Sequence, residues 1–135
     1  MQEILKFVEK SAYIEEFKIL DFKRGESFAY IKLEILFKNS SRIHIREFIT
    51  GERRKYSFHW VVNNLTTVRW DNSPHHKDIE SFPHHLHIND ELLPSDCTDS
   101  VAILTWIESL IEKKKDLSLE TLLTEIKGLH LAKER

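Results

Sequence analysis

Residues 69–87 read RWDNSPHHKDIESFPHHLH and hold five of the chain's eight histidines. They form two Pro-His-His triplets whose prolines, Pro74 and Pro83, stand nine residues apart. Imidazole titrates near neutral pH, so one ring can take a proton from a ribose 2′-hydroxyl while another returns one to the leaving oxygen. Arginine holds the phosphate and stabilises the charge that develops on it. On that chemistry the acid–base candidates are His59, His75, His76, His84, His85 and His87, with Asp71 to orient a ring. Arg46, Arg54 and Arg69 suit the phosphate, and Arg53 and Lys55 can touch it from a hairpin end. Glu34 and Glu47 are carboxylates set inside strands rich in Ile, Leu and Phe. A strand carboxylate usually faces solvent, but next to His59 or Arg46 either one, Glu34 or Glu47, could orient a base.

The same residues admit a metal. His85 and His87 are two apart, so an extended backbone points both the same way, and His75 or His76 with Asp71 could complete a nitrogen–oxygen shell. No Cys or HExxH motif accompanies them, and no obligatory metal or other cofactor is assigned. A third possibility is plain architecture: Asp71 and Asn72 start a turn, prolines stiffen the loop, and histidines bond to backbone groups. Five histidines within thirteen residues require five such accommodations together.

Strands and helices must position these groups. QEILKFVEK (2–10) suits a short helix with Ile4, Leu5 and Val8 inward. IEEFKILDFK and SFAYIKLEILFK read as strands, with Gly25 supplying the permissive backbone of the turn between them. SSRIHIREFI, KYSFHWVV and TTVRW read as three more, turned at Gly51 and at NNLTT. Short turns between successive strands predict an antiparallel meander. The three prolines, Pro74, Pro83 and Pro94, make the histidine-rich stretch an extended connection, with room for a short edge strand at 84–88. SVAILTWIESLIEKKK is a helix capped by Asp99 or Ser100. LSLETLLTEIKG is a second, with Ser118 as cap and Gly128 as stop, before a mobile tail LHLAKER. The expected fold is α+β: an antiparallel meander sheet of about five strands with helices packed on one face.

ERRKYSFHW joins Arg53, Arg54 and Lys55 to Tyr56, Phe58 and Trp60, a mixture that resembles single-strand RNA-binding surfaces. Strand periodicity instead makes the aromatics the core face, which is the favoured reading.

Net charge is −2 over 135 residues, which speaks against a chain that grips nucleic acid over its whole surface. Residues 42–87 carry seven Lys/Arg against five Asp/Glu, so an anionic partner prefers this middle section. The single cysteine, Cys97, excludes an internal disulfide and fits a reducing cytoplasm. No apolar leader or spanning stretch is expected.

Three blocks in one order, RRKYSFHW, RWDNSPHH and FPHHLH, cover residues 53–87 and resemble the signature of the TumE-family toxins of toxin–antitoxin pairs. The matching positions include Tyr56, His59, Trp60, Arg69, Trp70, Asp71, Asn72, Pro74, His75, His76, Phe82, Pro83, His84, His85 and His87. The resemblance implies a single toxin-like domain over 1–135, in which 115–135 could be a C-terminal helical extension. It further implies a small cytoplasmic toxin neutralised by a helical, often DNA-binding antitoxin. It does not supply the chemistry. Three functions follow for test: a metal-independent ribonuclease acting on RNA, a metal-dependent nuclease on the same loop, and a non-enzymatic inhibitor that grips a macromolecule. A homodimer is plausible because an open sheet leaves edges to cover.

Overall fold

The computed structural model describes the chain through Glu134, with side-chain surroundings through Gly128. Helix α1 (Gln2–Lys10) precedes seven strands: β1 (Ile14–Arg24), β2 (Phe28–Phe37), β3 (Arg42–Thr50), β4 (Arg53–Val61), β5 (Thr67–Asp71), β6 (His85–Ile88) and β7 (Glu91–Pro94). Helices α2 (Ser100–Glu112) and α3 (Leu119–Glu134) follow. The strands pair antiparallel in chain order, β1 to β7, so the sheet is a seven-stranded meander rather than one of about five. The expected edge strand near residue 85 exists, but it lies inside the sheet because ELLP adds a further strand. That strand ends at Pro94, on the sheet's edge, where a residue without an N–H is tolerated.

Side chains alternate across a strand, and the alternation sorts this sequence. Ile31, Leu33, Ile35, Phe37, Ile43, Ile45, Tyr56, Phe58, Trp60, Val68, Trp70, Leu86 and Ile88 are all buried. They join Ile4 and Val8 of α1, Ile103, Leu104, Ile107 and Leu110 of α2, and Leu122 and Ile126 of α3 in one apolar cluster. Trp106 of α2 meets Trp60 and Trp70 edge-on, with ring centroids 6.0 and 6.1 Å apart. Tyr56, Phe58 and Trp60 are therefore core, and no base can stack on them. Among the described residues no helix is long and apolar enough to cross a membrane.

Local signals held where the chemistry is specific. The Asp99 carboxylate accepts from the Ala102 N–H at 3.0 Å and caps α2, while the Ser118 hydroxyl accepts from the Thr121 N–H ahead of α3. Gly51 takes φ +56° in the β3–β4 turn. Gly25 works differently from expectation: its φ is not in the left-handed region, and a Cβ there would meet the Phe28 ring at 2.4 Å. It is small to admit that ring. Gly128 does not stop α3, which runs on to Glu134; a helical glycine of about 1 kcal/mol lower propensity is outvoted by the turns around it. The mobile tail expected beyond it falls largely outside the described side chains.

The histidine-bearing connection is also not extended. Backbone bonds from the Ile79 N–H to His76 O, Phe82 N–H to Ile79 O, and His84 N–H to Ser81 O fold it into successive turns. The Phe82–Pro83 peptide is cis. Asn72 fastens its start: the side-chain amide donates to the Arg54 carbonyl at 2.7 Å and its oxygen accepts from the Tyr56 N–H at 3.0 Å.

Candidate active site

The face of the sheet opposite the apolar cluster carries most of the polar side chains of β2 to β6. Register sets the rows. Glu34, His44, His59, Arg69 and His87 stand opposite one another from β2 to β6. The next row is Lys32, Arg46, Ser57, Asp71 and His85, and a third is Tyr30, Phe48 and Lys55. A cleft of about 330 Å³ opens here, lined by Lys32, His44, Arg46, Ser57, His59 and Arg69. Three cations, two imidazoles and a hydroxyl line it together with Leu20, Leu33 and Ile45, and no carboxylate is in the lining. A neighbouring cleft continues past Arg46, Arg69 and the carboxylate of Asp71 toward Tyr30, Phe48 and Lys55. By contrast, the cavity of about 260 Å³ around Trp70, Leu86, Cys97, Ile103 and Trp106 is apolar and suits no phosphate chemistry.

Charge in the cleft is uncompensated at key points. Glu34 is engaged by Arg42, and Arg69 Nε–H donates to Asp71 Oδ2 at 3.1 Å. Arg46 and Lys55 have no ion-pair partner among the described residues. Burial pushes the His59 imidazole below its ordinary value of 6.5, and the neighbouring His44 and the Arg69 guanidinium push it the same way. Its ring lies 6.5 Å from that of His44, centroid to centroid. His59 is thus a neutral ring at neutral pH, open to act as a base.

The remaining candidates separate into two groups and one outlier. His76, His85 and His87 converge, with centroids 4.9, 5.4 and 5.0 Å apart, beside Asp71. His84 belongs to the core side. The Tyr56 hydroxyl, whose own ionisation burial pushes well up, shares a hydrogen bond with His84 Nδ1 at 2.9 Å. His75 is exposed and makes none of these contacts.

Glu47 does not approach His59 or Arg46. Its odd position turns it to the core face, where Arg54 Nε–H donates to Glu47 Oε2 at 2.8 Å and another Arg54 N–H bonds the Thr98 carbonyl. The guanidinium also lies 4.3 Å over the Tyr56 ring. Arg54 is therefore engaged by protein partners, while Arg53 and Lys55 remain exposed at the hairpin. Arg54→Ala strands a largely buried carboxylate and a carbonyl, and a loss of about 2–3 kcal/mol in folding free energy is expected in denaturant titrations. Unchanged stability with weakened RNA binding would reassign Arg54 to substrate.

Sequence reasoning missed His44 as a site residue. The signal was available: His44 alternates with Ile43 and Ile45, so it shares a face with Arg46 and the even positions of β2. It also missed the exposed aromatics of that face, where Phe48 packs against Phe28 and Tyr30 with centroids 6.2 and 6.3 Å away.

An antiparallel α+β sheet protein with a cationic, histidine-bearing open face is the class these features define. A family model described as toxin TumE matches residues 4–114, and the chain belongs to the TumE toxin family. Helix α3 lies beyond the matched segment. No curated protein and no solved structure matched the chain.

Proposed function

We propose that the chain is the toxin of a toxin–antitoxin pair and that it cleaves RNA in the cleft between β2 and β5. The observation that carries this is the cleft lining itself: Lys32, Arg46 and Arg69 around the rings of His44 and His59, with the adjoining carboxylates Glu34 and Asp71 held by Arg42 and Arg69. RNA would lie along the open face with its phosphates on these cations and a base against Phe48. His59 Nε2 or Nδ1 takes the 2′-hydroxyl proton, the 2′-oxygen attacks phosphorus, and His44 protonates the departing 5′-oxygen. Arg46 and Arg69 hold the non-bridging oxygens as charge builds on them. The products are a 2′,3′-cyclic phosphate and a 5′-hydroxyl end. No loop histidine is required; His87 borders the row through Arg69.

The toxin family implies an antitoxin as partner. Apolar Ile19, Leu20 and Phe22, all about half exposed on the edge strand β1, offer area for it or for a second copy of the chain. A cytoplasmic site of action fits an RNA target and a lone cysteine.

Incubating the purified chain with single-stranded RNA and analysing the ends tests the reading. Cyclic phosphate termini are expected; intact RNA in the presence of protein that arrests growth on expression would reject it. The pH profile gives a second check. Because His59 titrates below 6.5, it stays a competent base into mildly acid solution, and the acid limb of kcat/KM is expected below that pH. Arg69→Gln removes one depressing charge, so the inflection moves up toward 6.5 even as the rate falls. The folded state binds this proton less readily than the unfolded chain does. Its contribution to stability is therefore fully present above about 6.5 and lost as pH falls through the lower folded value. A limb that stays put in Arg69→Gln would detach His59 from the profile.

A further inference from the structure

Three imidazoles outside the cleft meet where the turn-rich loop crosses the end of β5 and β6. One ligand-capable atom from each of His76, His85 and His87 lies within 4.8 Å of the others. His85 is 2% exposed, and both of its ring nitrogens face acceptors: Nδ1 is 3.0 Å from the Pro83 carbonyl and Nε2 is 2.9 Å from Asp71 Oδ1. A neutral imidazole carries one N–H and can satisfy only one of them. Two further imidazoles stand at about 5 Å, and Asp71 Oδ1 also accepts from the Ser73 N–H at 3.0 Å while Arg69 holds the far oxygen.

We propose that His76, His85 and His87 bind a zinc ion, with Asp71 as the fourth ligand. The ion takes the place of the second proton. It accepts the lone pair of His85 Nε2 and neutralises Asp71 Oδ1, while Nδ1–H keeps its bond to Pro83 as the outer-shell contact that fixes the ring. Arg69 stays on Asp71 Oδ2 at 3.1 Å and orients the carboxylate in the same way. Three nitrogen donors and one carboxylate oxygen suit zinc better than calcium or magnesium, which prefer oxygen. Tetrahedral coordination at zinc sets neighbouring donors about 3.4 Å apart, so the rings close in by about 1 Å through side-chain rotation.

The four ligands come from β5, β6 and the loop, so the ion fastens the loop to the sheet. Four protein ligands leave no open position for water, which makes the role structural. The proposal does not depend on the ribonuclease reading, since the cleft histidines take no part in it.

Protein purified without a histidine tag or nickel resin, then equilibrated with zinc chloride and passed through gel filtration, is assayed for metal. About one zinc per chain is expected, and cobalt in its place gives the intense visible bands of a tetrahedral ion. His76→Ala, altered on a loop, loses affinity by about 100-fold or more, Asp71→Asn also weakens binding, and His75→Ala does not. If His76→Ala fails to fold, zinc titration of the wild type followed by histidine ring NMR decides: only His76, His85 and His87 shift. Zinc not retained from micromolar solution, or bound equally by His76→Ala, overturns the site. Asp71→Asn with unaltered affinity removes the fourth ligand from it.

Discussion

His59→Ala is expected to lower RNA cleavage by about 10²- to 10⁴-fold, the usual contribution of a positioned base. Growth arrest on expression is expected to disappear with it. The substitution is well placed to isolate chemistry from folding. His59 projects into the cleft while its neighbours Phe58 and Trp60 fill the core on the other side, both 0% exposed. The loss therefore appears in kcat, with circular dichroism and RNA affinity little changed. His44→Ala follows in the same direction and, if the two rings act as a pair, the double variant is no worse than either alone. His75→Ala, exposed and apart from both clusters, serves as the control. A His59→Ala protein as toxic and as active as wild type would move catalysis out of the cleft.

Phe58→Ala is expected to remove about 3–5 kcal/mol of stability, because a fully enclosed ring is replaced by a cavity that the surrounding sheet and Tyr56 cannot close. Tyr56 stacks on it at 4.8 Å. For a domain whose total is roughly 5–15 kcal/mol, that loss is close to unfolding. Phe48→Ala makes the opposite trade. Phe48 is 37% exposed, so stability changes little, while RNA affinity falls by about 1–3 kcal/mol if a base stacks there. Chemical denaturation and a fluorescence binding assay on the two variants separate core from platform. RNA affinity untouched by Phe48→Ala would leave the cations alone to hold the strand.

The strand alternation of β2 to β5 was readable because half-buried strands repeat every second residue and short turns forbid crossovers. That is why the core role of Tyr56, Phe58 and Trp60 followed from position alone. The same parity, applied to Glu47, places it on the core face away from His59, and applied to His44 brings it into the site. What sequence could not supply was distance across the sheet: which residue of β3 faces which of β4 depends on register, fixed by turns such as the one at Gly51. The loop was harder. Two prolines exclude helix yet do not choose between an extended path and consecutive turns, and the choice rests on bonds such as Ser81 and Asn72 make to distant backbone. β7 was lost because ELLP is short, ends in proline and shows no full alternation. The helix through Gly128 shows a weak local preference yielding to its neighbours.

The meander has a kinetic meaning. Each strand finds its partner in the segment just before it, so no chain closure across the whole sheet has to precede the first hydrogen bonds, and the entropy of ordering is met in small instalments. A sheet of this size with interleaved topology would fold slowly and dwell in aggregation-prone forms. Here every strand pairing joins chain neighbours, from β1–β2 through β6–β7.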